Sequence, residues 1–304
     1  MELRHFRYFV AVAEELHFSR AAHKLSISQP PLSKHIQDIE RRLGVSLLLR
    51  NRRRVELTDA GKLFLAEARA VLAQADHALD TGRRIALGEI GKLHIAFTAT
   101  AAYTPLFPKS VLAFRQALPG VNLSLTYMTT EAILAGVSRG EVDLGLIRPS
   151  ALIPLPDGVK AIPVVRDRLM LALHENRPMK VTGAVPLASL AQAPFILRPR
   201  GRGSSFYEQV YELCALAGFT PRLVQEANEG PTILSLVATD MGMSILPASL
   251  QAIQAPGVIW RKLSTRTGTL DSRVYLVHHA SRPPTAQHAR FIETVKFLLA
   301  TEPH

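Results

Sequence analysis

At 304 residues the chain is long enough for two domains or one large one, and its 47% hydrophobic and 20% charged content excludes a disordered polymer. A formal net charge of +11 points to a polyanionic partner, nucleic acid or an anionic membrane surface. One cysteine, Cys214, excludes an intramolecular disulfide, and no segment approaches the roughly eighteen uncharged apolar residues of a membrane span, so the expected setting is cytoplasmic.

The chain opens with "MELRHFRYFVAVAEEL", where charges interrupt the apolar run and exclude the core of a signal peptide. Leu3, Phe6, Val10 and Ala13 recur at helical spacing and predict an amphipathic helix over residues 2–15. Ser19 is the expected cap of a short helix, "RAAHKL", followed by the turn "SIS". Ser28 then caps a third helix with Pro30 and Pro31 in its first turn, where missing N–H groups cost little. Leu32, Ile36, Ile39 and Leu43 form its apolar stripe, while Gln29, Ser33, Lys34 and Gln37 lie on the free face, and Gly44 ends it.

"VSLLLRNRRRVELT" follows, two apolar stretches flanking "RNRRR", which reads as a hairpin with a basic tip. From Arg20 to Arg54 there are nine Lys/Arg against two acids, Asp38 and Glu40, whereas Val55–Ile90 carries four bases and six acids. The basic field is therefore local. A short helix, a tight turn, a polar helix and a basic hairpin make up a winged helix-turn-helix, whose second helix enters the major groove. Ser28, Gln29, Pro30, Pro31, Ser33 and Lys34 are the candidate base-facing residues, and Arg52 and Arg53 at the wing tip the candidate backbone contacts.

Thr58 begins a long helical pattern reaching about Leu87, with Leu65, Leu72 and Leu79 seven residues apart and small residues between. Such a seam between two domains predicts a homodimer, the competing reading being that the stripe packs on its own domain. From Gly91 strands alternate with helices, an α/β pattern with a mostly parallel sheet. The expected division is 1–58 winged helix-turn-helix, 59–90 linker and dimerisation helix, and 91–304 a bilobal effector domain. Lobe I takes about 91–162 and 265–304, lobe II about 163–264.

No phosphate-binding, dinucleotide, zinc-protease, C-x-x-C or nucleophile-elbow motif occurs, so the expectation is no enzyme, no cofactor and no metal. Cys214 in "VYELCALAGF" reads as a buried helix thiol, and His278 and His279, adjacent on a predicted strand, make a poor metal pair.

The skeleton "AA…L..SQPPLS..I..IE..LG..L..R......LT.AG" resembles the DNA-binding domain of LysR-type transcriptional regulators, and the α/β half is similar to that family's periplasmic-binding-protein-like effector domain. "MELRHFRYFVAVAEE", "QPPLS", "SSF" and "LPAS" look most like the benzoate, catechol and chlorocatechol branch; Lys34 departs from the arginine commoner there. The resemblance implies double-stranded DNA as partner, a dimer of dimers, an effector between the lobes, transcription activation and RNA polymerase as a further partner. By matching strand ends it places Thr100, Thr130, Arg148, Ser204 and Phe206 at the effector. Arg148 would take a carboxylate bidentately, a structural salt bridge being the alternative. Three other readings are weighed: a solute-binding protein, an enzyme on an anionic substrate, and a ligand-independent DNA-binding protein. The basic first ninety residues, the missing catalytic motifs and the large bilobal half argue against them in turn.

Overall fold

The computed structural model describes residues 1–50, 54–149, 155–179, 181–199, 206–282 and 284–301. The chain divides into two compact units, Met1–Ala86 and Leu87–His304. Among the described residues no helix is long and apolar enough to cross a membrane.

The first unit is built from α1 (Leu3–Glu15), α2 (Phe18–Lys24), α3 (Gln29–Leu43), the hairpin β1 (Leu48–Arg50) and β2 (Val55–Leu57), and the long α4 (Asp59–Ala86). Its core gathers Phe9 and Val12 of α1, Ala21 and Ala22 of α2, Leu32, Ile36 and Ile39 of α3, and Ala68 of α4. The stripe of α1 is thus rotated from the expected one. Leu3 is 44% exposed and Phe9 fully buried. On α3 the stripe stops one position early, because Leu43 beside the Gly44 cap is exposed.

Caps also differ in detail. His17, not Ser19, occupies the cap of α2, accepting from the Arg20 amide, and the Ser19 hydroxyl donates to Gln29 Oε1 at 2.9 Å. Ser28 stands at the cap of α3 with extended backbone, but its hydroxyl makes no capping bond, and the prolines start the helix. Two polar ties fix the wing. Glu40 Oε1 accepts from the Leu47 and Leu48 amides at 2.9 and 3.1 Å, and Thr58 Oγ1 donates to the Leu47 carbonyl while accepting from the Gly61 amide at 2.8 Å. Gly61 lets α4 lie on the wing: a Cβ there would overlap the Leu47 carbonyl oxygen.

The linker helix ends at Ala86, not residue 90. Gly88 has a φ of +75°, and the Ile90 carbonyl accepts from Gln287, which ties these residues into the second unit.

The second unit contains β3 (Gly91–Phe97), α5 (Ala99–Ala102), α6 (Leu106–Ala117), β4 (Val121–Tyr127), α7 (Thr130–Arg139), β5 (Leu144–Ile147), β6 (Val159–His174), β7 (Val185–Pro186) and β8 (Pro194–Leu197). It continues with α8 (Phe206–Leu216), β9 (Arg222–Glu226), α9 (Gly230–Val237), β10 (Ser244–Pro247), β11 (Val258–Ser264), β12 (Asp271–His279) and α10 (Ala286–Thr301). Three parallel strands in the order β4-β3-β5 continue into β12, β6, β11 and β7. The sheet is mixed rather than mostly parallel, because β12 runs antiparallel to both β5 and β6, and β10 and β11 run antiparallel to β6.

The reason is the crossing between lobes. The segments "AIPVV" and "RLMLALH", expected as separate strands, are one 16-residue strand, β6. Its first part, Val159–Arg168, pairs with β12, and its last part, from Leu169, pairs with β10 and β11. Pro163, which has no N–H to give, sits where the β12 register slips between Val274 and Tyr275. Val164, Val274 and Leu276 belong to one core, Leu169, Leu263 and Leu270 to the other. Core membership therefore moves the crossings from the expected 162/163 and 264/265 to about 168/169 and 270/271.

A buried ion pair marks both crossings. Arg148, just past β5 and 1% exposed, donates through Nη2 to Asp167 Oδ2 of β6 at 2.9 Å and through Nη1 to Ser272 Oγ of β12 at 3.1 Å. The Ser249 hydroxyl accepts from Arg148 at 3.4 Å and its amide donates to Asp167, bringing in the segment after β10. Burial pulls the guanidinium's pKa down and Asp167 opposes that shift.

Two outcomes follow for stability. Arg148→Met strands Asp167 in a buried site and is expected to cost about 3–5 kcal/mol, read by urea unfolding, with Arg148→Met/Asp167→Leu recovering most of it. If the single variant unfolds at the wild-type midpoint, the ion pair is not what holds the crossing. Gly61→Ala is expected to cost about 1–3 kcal/mol in the first unit by forcing α4 off the wing, measured by the thermal midpoint of residues 1–86 within the full chain.

Candidate nucleic-acid interface and interlobe cleft

The free face of α3 exists because its apolar stripe is fully used beneath it. Leu32 and Ile36 are completely buried, and the opposite side leaves Ser28, Gln29, Pro30, Pro31 and Lys34 exposed, with Ser33 half-buried. The Gln29 carbonyl oxygen is held by Ser19, which fixes the amide and turns its NH2 group into the free donor. Lys34 makes no ion pair with any described residue, whereas Lys24 and Arg69 are both engaged by Glu14. The acids of α1 thus engage cations of α2 and α4, Arg41 of α3 pairs with Asp38, and Lys34 is left without an ion pair among the described residues. Arg52 and Arg53, expected at the wing tip, lie outside the described residues.

On α4 the expected seam splits. Leu65 packs against the core of its own unit, beside Phe64 and the fully buried Ala68. Leu72 is half-buried and Leu79 is 60% exposed, with Val71 and Ile85 also exposed. The half-buried Leu65 leans on the core of its own unit, and exposure grows along the seam to Leu79.

In the second unit a pocket opens between the lobes. Thr98, Thr100, Met128, Thr129, Thr130 and Glu131 line it from lobe I, and Arg198, Phe206, Tyr207, Asn228, Glu229 and Gly230 from lobe II. Strand ends and helix starts supply these residues, because β3, β4 and β8 all finish there, the topology that gathers loops at one edge of a sheet. The open space amounts to about 50 Å³, room for a few waters. A six-carbon acid enters only if the lobes part.

Three of the five expected effector residues meet here. Thr100 and Thr130 are buried on the lobe I wall and Phe206 is 1% exposed on the lobe II wall. Ser204 lies outside the described residues. Arg148 departs from the expectation: it does not line the pocket, and the carboxylate it holds is Asp167 of its own chain, the structural salt bridge weighed as the alternative.

The cleft has other charged groups: Arg198, which the sequence placed alongside the carboxylate-suited loop "RPRGRGSSF", and the acids Glu131 and Glu229, which it did not single out. Arg198, at the end of β8, makes no side-chain hydrogen bond or ion pair with any described residue, and its Nε is buried without a partner. The Thr98 hydroxyl is likewise buried and unsatisfied among the described residues. Tyr127 at the end of β4 donates its phenol to Glu229 Oε1 at 2.7 Å, a bond from lobe I to lobe II. Burial first, and the Glu229 carboxylate second, push the Tyr127 pKa up to about 12, so the phenol stays a donor. One signal was present: "LIRP" around Arg148 and "ILRP" around Arg198 are alike, both arginines ending apolar strands. Position in the sheet, which the sequence does not print, decides which one meets Asp167.

Elsewhere, Cys214 is buried in α8 and burial alone pushes its thiol up to about 12, which argues against a nucleophile. Among the described residues no cluster of three or more His, Cys, Asp or Glu is placed to hold a metal.

Both halves match one bacterial family. The family described as "Bacterial regulatory helix-turn-helix protein, lysR family" matches residues 3–62, and the LysR substrate binding domain matches residues 86–299. The chain is 38% identical over 290 residues to the uncharacterized HTH-type transcriptional regulator YnfL of Escherichia coli strain K12, covering 95% of this chain and 97% of YnfL. It is 34% identical over 297 residues to the HTH-type transcriptional regulator TcbR of Pseudomonas sp. strain P51, covering 97% and 98%. The crystal structure of full-length CbnR complexed with its target DNA superposes with a TM-score of 0.82 at 32% identity, covering 98% of this chain and 99% of CbnR. A winged helix-turn-helix with an unneutralised recognition face, joined to a two-lobed binding domain and matched along nearly its whole length, makes this chain a member of the LysR family of DNA-binding transcriptional regulators.

Proposed function

We propose that this LysR-family regulator reads an operator through α3 and the wing, and that a small carboxylate, of the aromatic-derived class, modulates it from the interlobe cleft. The observation that carries the effector reading is Arg198. It is a cation on the cleft wall with no partner among the described residues, opposite Thr100 and Thr130. A guanidinium already stripped of water at Nε gains strongly from a bidentate carboxylate, since leaving it unpaired is costly. Arg198 takes the role first expected of Arg148, and Arg148 acts at a distance by fixing the crossings about which the lobes move. Ser204, next to α8, is kept as a candidate contact.

In the DNA half, Gln29 and Ser33 face base edges, Pro30 and Pro31 face thymine methyl groups, Ser28 and Lys34 reach the phosphate or a guanine, and Arg52 and Arg53 hold the backbone. Operators read by such modules demand two half-sites, and the exposed Val71, Leu79 and Ile85 of α4 supply a face for a second copy. The dimer of dimers, activation of transcription and contact with RNA polymerase belong to the same reading.

Lys34→Ala is expected to weaken operator binding and to lower the slope of log K against log salt by about 1, with any effector response retained. An unchanged slope removes Lys34 from the phosphate contacts. In gel shifts on DNA upstream of its own gene, benzoate or cis,cis-muconate is expected to change the affinity or the footprint of the wild type. Arg198→Ala is expected to abolish that change at unaltered basal affinity. A full response in Arg198→Ala sinks the assignment.

A further inference from the structure

We infer that Ser19 sets the base that Gln29 reads: with its carbonyl oxygen held by the Ser19 hydroxyl, Gln29 acts as a donor and selects guanine, not the adenine that an unrestrained glutamine pairs with. This rests on the proposed contact of Gln29 with a base edge and deepens it by naming the base. An unrestrained glutamine reads adenine with both ends of its amide, accepting from N6 and donating to N7. Guanine instead shows two neighbouring acceptors in the major groove, N7 and O6, and no donor. Which purine is chosen therefore depends on which end of the amide is offered.

The NH2 end is the one on offer. Ser19, in the first turn of α2, donates to Gln29 Oε1 at 2.9 Å across the turn between the helices, and Gln29 Nε2 makes no hydrogen bond with any described residue. A carbonyl that already accepts one donor accepts a second more weakly, while the same bond polarises the amide and makes its N–H groups better donors. Both effects favour guanine. The anchor is itself held. Ala21 and Ala22 of α2 are buried in the core that takes Leu32 and Ile36 of α3, and the turn between the helices is closed by amide bonds from Ser26 to the His23 carbonyl and from Ile27 to the Ala22 carbonyl, both 3.0 Å. Pro30 and Pro31 lock the backbone directly after Gln29. Arg20, next to Ser19, is turned back onto the Glu15 carbonyl at 2.6 Å and does not compete for the Gln29 oxygen. A side chain ordered before DNA arrives loses less freedom on binding, so the base contact is made by a group already in place.

The test is selection of binding sites from a random-sequence duplex library by the full-length protein and its variants, followed by competition titration of the selected duplexes. The wild type is expected to show one position in each half-site where guanine binds about tenfold tighter than adenine, and Gln29→Ala to lose the preference at that position alone. Ser19→Ala is expected to bring guanine and adenine within about threefold there, with the preferences at every other position unchanged. Placing 7-deazaguanine, which lacks the N7 acceptor, at that position is expected to weaken the wild type about tenfold and to leave binding by Gln29→Ala unaffected. A base pair other than G·C at the position that Gln29→Ala flattens overturns this inference alone. So does a guanine preference that survives Ser19→Ala or 7-deazaguanine, or a Ser19→Ala variant that weakens every position alike, as a merely structural residue would. A selection in which Gln29→Ala alters no position, or in which the wild type enriches no common sequence, overturns the base contact of Gln29 beneath it as well.

Discussion

The Arg148–Asp167 ion pair is the constraint around which the second half of the molecule is arranged. Two strands must carry the chain from one lobe to the other and back, and at that point the sheet has no apolar core of its own. Each crossing contributes a polar group, Asp167 from β6 and Ser272 from β12, and Arg148 binds both. An apolar contact there would tolerate sliding, because dispersion and burial are insensitive to direction, whereas a buried guanidinium bonded to two strands fixes their registry.

That placement is why the proposed effector anchor is a different arginine. A guanidinium neutralised by an internal carboxylate gains little by exchanging it for a ligand's, so Arg148 is a poor anchor despite ending an apolar strand. Arg198 ends a strand of the other lobe, outside the large sheet, where β8 pairs only with β9 and bridges to Met243. No described acid reaches it. The two arginines divide the work: one is committed to the hinge, the other left uncompensated where a ligand can reach it.

How much of this was legible in the sequence follows from the range of each interaction. The recognition helix was legible because its determinants are local: the prolines at one end, Gly44 at the other, and an apolar stripe at i, i+4 and i+7 between them. Thr100, Thr130 and Phe206, expected from matching strand ends, line the pocket, Thr100 and Thr130 close after the ends of β3 and β4 and Phe206 at the first position of α8. Long-range partners defeated the same reasoning. Nothing near Arg148 in sequence announces Asp167, and nothing near Tyr127 announces Glu229, about a hundred residues on. The heptad at Leu65 is ambiguous for the converse reason, since periodicity records which face of α4 is apolar but not how much of it packs on its own unit, where Phe64 meets Phe9 and Leu65 leans on the same core. β6 was cut in two because Pro163 and the acid-base run after it look like a break, and only the slip in β12 shows how one strand absorbs both.

The closed cleft sets a limit on how an effector can act. With about 50 Å³ of free space, the described arrangement is the one that a six-carbon acid binds worst, so binding must favour a more open state or a repacked one. The shift can be no larger than the ligand's difference in affinity between the two states, and that difference is set by what closure already satisfies: the Tyr127–Glu229 bond holds the lobes together, while Arg198 and the Thr98 hydroxyl stay unsatisfied among the described residues. A closed state that satisfies one bond and leaves the half-buried Arg198 without a partner among the described residues is not deeply favoured. It is therefore the kind of state that a modest ligand, anchored at Arg198, can displace.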